Sequence, residues 1–255
     1  MPAVGSAPKH SDRPSKRVGG RVARSTYTSL DELTARLIEC ERCPRLVAWR
    51  QQVADEKRAA FRSEEYWGRP VPGFGDPQAR LLVIGLAPAA HGGNRTGRIF
   101  TGDRSGDLLF SALHSAGFAN QPTSVSRADG LRLKGAYVVA AVRCAPPQNK
   151  PLTVEIVECE AWLVEEISLL PQVRSVLALG SLAFARTLEV AARLGWSSKK
   201  PRARFAHGAV VDLRPTGPTV VASYHPSQQN TFTGRLTPAM FDEVVSTARY
   251  FALPA

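Results

Sequence analysis

The chain lacks several features that would settle its class at once. No apolar run approaches the roughly 18 residues that a membrane span needs, so no membrane association is expected. Its opening residues contain no apolar core of a secretory signal, which points to the cytoplasm and, with the charge below, to the nucleoid. The basic, acid-poor start also has the composition of a transit peptide. Only four cysteines occur in 255 residues, too few for a disulfide scaffold, and disulfides are not expected without export. Acidic residues are scarce as well: 22 Asp and Glu stand against 33 Lys and Arg, giving a formal charge of +11. A chain so basic suits a polyanionic partner such as nucleic acid.

Part of that charge sits in residues 1–25, where Lys9, Arg13, Lys16, Arg17, Arg21 and Arg24 face only Asp12. Rich in Pro, Gly and Ser and without periodicity, this segment reads as a disordered basic tail. Residues 26–255 are long enough for one α/β domain and short for two.

Within that domain short apolar runs alternate with helical patterns. Strands are expected near 80–86, 136–142, 175–179 and 219–223, with a further extended piece near 205–213. Ser29-x-x-Glu32 is a capping box for a helix to about Glu39. Ser105 is the expected cap of a helix to Ala116, and Thr153 of one to Leu169. Thr237-Pro238 opens the last helix, with Pro at its favoured first position. Residues 70–77 are turn-rich, and 195–204 form a basic loop. Strands alternating with helices predict a three-layer α/β/α sandwich around a mostly parallel sheet of about four strands.

Two polar loops follow apolar runs that read as buried strands. One is Gly85-Leu86-Ala87-Pro88-Ala89-Ala90-His91-Gly92-Gly93-Asn94-Arg95-Thr96-Gly97-Arg98-Ile99-Phe100-Thr101-Gly102-Asp103; the other is Tyr224-His225-Pro226-Ser227-Gln228-Gln229-Asn230-Thr231-Phe232-Thr233-Gly234-Arg235-Leu236-Thr237. Open α/β sheets bind ligands outside the carboxyl ends of their strands, so the two loops read as walls of one pocket. The cysteines form a second constellation. Cys40-x-x-Cys43 places two thiols at a helix end, Cys144 follows a strand, and Cys159 lies in the next helix. Four such thiols suit tetrahedral zinc, an iron–sulfur cluster or unrelated structural thiols, and spacing alone leaves all three open.

Both loops closely resemble the signature motifs of the uracil-DNA glycosylase superfamily, in the form carried by its type 5 (class B) members. The resemblance spans residues 30–250. It implies a DNA repair enzyme, acting as a monomer on uracil-containing, double-stranded DNA, that flips a deaminated base out of the stack and hydrolyses its glycosidic bond. Hypoxanthine and other damaged bases are implied besides uracil. It also implies that Cys40, Cys43, Cys144 and Cys159 hold a structural [4Fe–4S] cluster. His225, of the His-Pro-Ser motif, would stabilise the departing base at O2. Phe100 would stack on the base, Asn149 in Pro146-Pro147-Gln148-Asn149 would read its edge, and Ala87 would line the slot. Lys150, Asn230, Phe232 and Arg235 would meet DNA. Where other types carry an acidic or amide residue beside the loop proline, this chain has Leu86 and Ala87, so the water falls to Asp103, then Asn94. No lysine is placed for Schiff-base lyase chemistry. Two other readings are a non-catalytic iron–sulfur protein that binds nucleic acid and a zinc-stabilised nucleotide hydrolase.

Overall fold

The computed structural model describes residues 25–197 and 201–253. The predicted disorder of the tail, and part of the basic loop at 195–204, lie outside the described residues. Ser25 belongs to the folded body, since its hydroxyl donates to the Glu165 carboxylate at 2.7 Å.

Four five-residue strands make the centre of the sheet: β2 (Leu81–Gly85), β3 (Ala136–Ala140), β4 (Ser175–Leu179) and β6 (Thr219–Ser223). Every residue in them is buried. Their near-continuous apolar character is what a sheet covered on both faces requires. They run parallel in the order β3-β2-β4-β6, with Leu81 opposite both Ala136 and Ser175, and Ser175 opposite Thr219.

The sheet has six strands rather than four, because a short antiparallel strand flanks each edge: β1 (Phe74–Gly75) beside β3 and β5 (Val210–Asp212) beside β6. Phe74–Gly75 falls in the stretch expected to be turn. A two-residue strand has no periodicity to reveal it. A Cβ at Gly75 would fall 2.4 Å from the Ala136 carbonyl oxygen, so only glycine lets β1 approach β3 so closely.

Alternation along each strand sends side chains to opposite faces. Leu81 and Val83 join a core with Phe110 and Leu113 of α4 (Arg104–Ser115) and Phe241 and Val245 of α8 (Pro238–Ala252). Leu82 and Ile84 join another with Leu163 and Ile167 of α5 (Thr153–Ser168) and Phe184 and Leu188 of α6 (Ser181–Ala191). This is the expected three-layer sandwich. Outside the α5 layer, α1 (Leu30–Leu37) and α2 (Pro44–Glu56) close a smaller core with Leu33, Leu37, Leu46 and Trp162. Two short helices, α3 (Gly93–Thr96) and α7 (Gln228–Phe232), lie inside the two signature loops.

Helix starts follow local chemistry with two corrections. Ser29 and Thr237 cap α1 and α8 as expected, accepting from Glu32 N and Met240 N. The cap of α4 is Asp103, not Ser105, and α5 is preceded by Leu152 rather than capped by Thr153. Glu155 does the work at α5: its carboxylate takes the Leu152 N–H at 2.7 Å and a two-pronged pair from Arg45.

Candidate active site and cysteine cavity

Because β2, β3, β4 and β6 are parallel, the loops after them emerge at one sheet edge, and the two signature loops meet there. The β2 loop is built around a ring. Phe100 is buried and has φ 52°, a left-handed backbone unusual for a bulky residue. Two glycines make room for it. A Cβ at Gly85 would lie 2.7 Å from the Phe100 ring, and one at Gly106 would lie 1.9 Å from the Phe100 carbonyl oxygen.

The loop's arginines hold the loop. Arg98 is buried and donates to Thr101, Ser124 and Asp129 while lying over the Phe74 ring. These donors and three backbone amides outweigh burial and hold the Asp129 carboxyl down at about 2. Arg95 pairs with Glu64, takes the His91 carbonyl at 2.8 Å and lies over Phe61.

At the end of β6, His225 packs beside Phe100, with ring centroids 5.9 Å apart. Burial pushes its pKa down to about 4, so the imidazole is neutral near pH 7 and offers one N–H donor. Three residues fix its place. Asn230 donates its side-chain amide to the His225 carbonyl at 2.8 Å. Gly180, at φ 91°, leaves space for the His225 Cβ, which would stand 3.3 Å from any Cβ there. One residue earlier, the Tyr224 N–H donates to His207 Nδ1 at 3.2 Å and the two rings stack at 5.0 Å. Asn230, expected at the DNA, thus gives its donor to the backbone of His225. Gly180 and His207 escaped the sequence reading, since neither lies in a signature loop. Gly180 directly after an apolar strand was the available signal; His207 gave none.

Asp103 performs two tasks. One oxygen caps α4 through Gly106 N at 2.9 Å. The other faces the β2 loop, 2.3 Å from where a Cβ on Gly92 would stand. Burial raises its pKa above the ordinary value, against the pull of the Gly106 and Ser105 amides. Asn94 is fully buried. Its side-chain amide donates to the Arg50 carbonyl at 3.1 Å, and its Oδ1 has no partner among the described residues. Ala87 sits half-buried and packs against the cysteine-bearing core.

Asn149 is exposed at the end of a 3₁₀ turn, Pro147–Asn149, that follows β3. Gln148 and Asn149 both have left-handed backbones, φ 55° and 57°. Such conformations cost energy and concentrate where a loop is shaped for a ligand. Lys150 is exposed beside it. Phe232 is 69% exposed with the Arg104 guanidinium over its ring, and Arg235 is exposed over Tyr224.

The four cysteines line a second, small cavity together with Leu37, Arg143 and Trp162. The Trp162 indole N–H donates to Cys40 Sγ at 3.3 Å and the Arg143 amide to Cys159 Sγ at 3.2 Å. Burial pushes the Cys144 thiol up to about 12 and that of Cys159 to about 11. Among the described residues, no three of these groups gather closely enough to hold a single metal ion.

Comparison with known proteins agrees with this architecture. The family model described as the uracil DNA glycosylase superfamily matches residues 72–249, and the chain belongs to that superfamily. Similar proteins include type-5 uracil-DNA glycosylases at about half identity and, at 26–28% identity, type-4 ones. It is 52% identical over 225 residues to the type-5 uracil-DNA glycosylase of Mycobacterium tuberculosis, covering 88% of this chain and 82% of that protein. The type-5 enzyme of Thermus thermophilus is 54% identical over 216 residues, covering 85% of this chain and 95% of its own. That of Pyrobaculum aerophilum is 49% identical over 218 residues, covering 86% and 91%.

Proposed function

We propose that this chain excises uracil from double-stranded DNA as a monomeric, monofunctional glycosylase whose rate comes chiefly from stabilising the departing base. Its kinship makes it an N-glycosyl hydrolase of DNA repair; the division of labour below is our reading. The flipped base enters between Phe100 and the β6 end, and Asn149 supplies an amide donor and acceptor to its edge. As the bond between base nitrogen and sugar carbon breaks, both electrons leave with the base. The neutral His225 N–H meets the growing negative charge on the base oxygen. Water then adds to the sugar carbon and gives up a proton, leaving an abasic site. The Asp103 carboxyl, held above its ordinary pKa, is the acceptor we assign, with Asn94 Oδ1 as the alternative orienter. Exposed Phe232 and Arg235 on the β6 loop, and Lys150 on the β3 loop, would engage the strand.

The carrying observation is His225: a neutral imidazole beside an aromatic ring, at the edge where both signature loops emerge. The test is single-turnover excision from a uracil-containing duplex. Wild-type protein should release free uracil and leave an alkali-labile site. Binding without release would favour a recognition protein instead.

Cys40, Cys43, Cys144 and Cys159 are the residues we assign to a [4Fe–4S] cluster. The donor set is all thiolate, two N–H groups point at its sulfurs, and the thiols ring a cavity rather than meet at one point, as a multi-iron cluster asks and a single zinc ion does not. Bound there, the group would cross-link α1, α2, the β3 end and α5. Iron and sulfide analysis of anaerobically purified protein tests this; zinc without sulfide would overturn it.

A further inference from the structure

At the sheet edge opposite the base pocket lies a cavity of about 900 Å³. It opens where β4 and β6 begin and where α5 and α8 end. From Thr219 to His225 the chain runs six residues, about 20 Å if extended, so an occupant of this cavity does not touch the flipped base. Arg174, Arg214 and Arg249 line it, and among the described residues no Asp or Glu side chain does. Arg214 is held by Asp212 in a two-pronged pair at 2.9 and 2.7 Å. Arg174 and Arg249 are exposed and form no ion pair among the described residues.

Trp196 lines the cavity half-buried, and Tyr250 stands at its rim 76% exposed. Thr219, also in the lining, is buried with a hydroxyl that has no partner among the described residues. The ends of α5 and α8 would by themselves attract cations to this edge. They do not call for an open aromatic face beside those cations. Cationic grooves carrying aromatic platforms are how proteins hold single-stranded nucleic acid: guanidinium groups follow the phosphates and bases stack on the rings.

We propose that this cavity is a second nucleic-acid site, which takes a short single-stranded segment while the base pocket is engaged elsewhere. The experiment uses full-length protein saturated with a duplex carrying a tetrahydrofuran abasic analogue, so that the catalytic edge is filled. Fluorescent tetrathymidylate is then titrated in, with thymidine monophosphate and inorganic phosphate as competitors. One further equivalent of tetrathymidylate should bind, and the free nucleotide should compete far more weakly. The variant Arg174→Glu/Arg249→Glu should weaken that binding at least tenfold. Tyr250→Ala, which leaves the charge unchanged, should weaken it about fivefold or more through lost stacking. All three positions are exposed, and single-turnover excision of uracil should stay within about twofold of wild type, as they lie far from the reacting atoms. The proposal is overturned if the duplex-saturated protein takes up no tetrathymidylate, if both variants bind it as wild type does, or if an aspartate-rich peptide carrying tyrosine occupies the cavity while the oligonucleotide does not. Loss of excision in the wild-type protein would instead count against the proposed function.

Discussion

The base pocket and the cysteine cavity draw on the same short stretch after β3, and they use it in opposite ways. Cys144 is buried under helices, with its thiol pushed up to about 12; five residues later, Asn149 stands exposed on a strained turn. At the pocket, side chains are held by loops with left-handed backbones at Phe100, Gln148 and Asn149. At the cavity the thiols come from helix ends and a packed core. Strain and exposure suit a site that must receive a base. Burial suits a site that must hold the fold together. Damage to one should therefore read out as rate, and damage to the other as stability.

The largest effect on that contrast should come from His225→Ala. Removing one donor to the leaving group typically costs roughly 10²–10³ in rate, and DNA binding and the melting temperature should barely change. Wild-type single-turnover speed in a folded variant would remove His225 from the chemistry. Cys144→Ser should do the reverse. Its melting temperature should fall on the order of 10 °C or more, since about 1 kcal/mol moves a domain of this size by ~2–4 °C. Excision per folded molecule should hold. If stability stays while the rate collapses, the two regions are not divided as described.

Gly85→Ala tests whether the Phe100 ring sets the pocket. The new methyl cannot coexist with the ring where it lies, and displacing the ring should cost on the order of tenfold in rate. Asp103 can be split by paired variants. Asn caps a helix about as well as Asp, so Asp103→Asn should keep the melting temperature while Asp103→Ala loses about 1 kcal/mol of stability. A slow Asp103→Asn would then isolate the carboxylate's part in handling water. A fast one would leave Asp103 as a cap.

The smallest effect concerns pH. His225 is depressed to about 4 in the folded chain against an ordinary 6.5 unfolded. Between those values the unfolded chain binds more protons, so this residue's contribution to stability is full above about 6.5 and fades as pH falls toward 4. Denaturant titrations at pH 7 and pH 5 should show that loss, and His225→Gln should reduce it. Excision should show no acid limb near 6.5 from this residue.

Much of this architecture was legible in the chain. Four short apolar runs alternating with helical patterns predicted the parallel core, because a strand buried on both faces must be apolar throughout. The edge strands were harder to see. Phe74–Gly75 is too short for any pattern, and Val210–Asp212 shows only as an extended piece. The long, contiguous motifs pointed to His225 and Phe100, whose rings the fold packs 5.9 Å apart. Asn230 lay inside a motif yet was expected at the DNA, since nothing local shows that its amide reaches back to the His225 carbonyl.

By itself, the sequence determined the layer order, the direction of the central strands and the two loops that must meet at one edge, since these follow from periodicity and from the rule that parallel strands end together. It also determined that four thiols are available. Only the tertiary structure decided which polar groups are spent on the scaffold. Arg95 and Arg98 pair with Glu64 and Asp129 and hold the β2 loop. His207 has no local signature, yet it accepts the Tyr224 N–H beside His225. The neutral state of His225 likewise belongs to the fold, because desolvation is a property of what packs around a side chain and not of its neighbours in the chain.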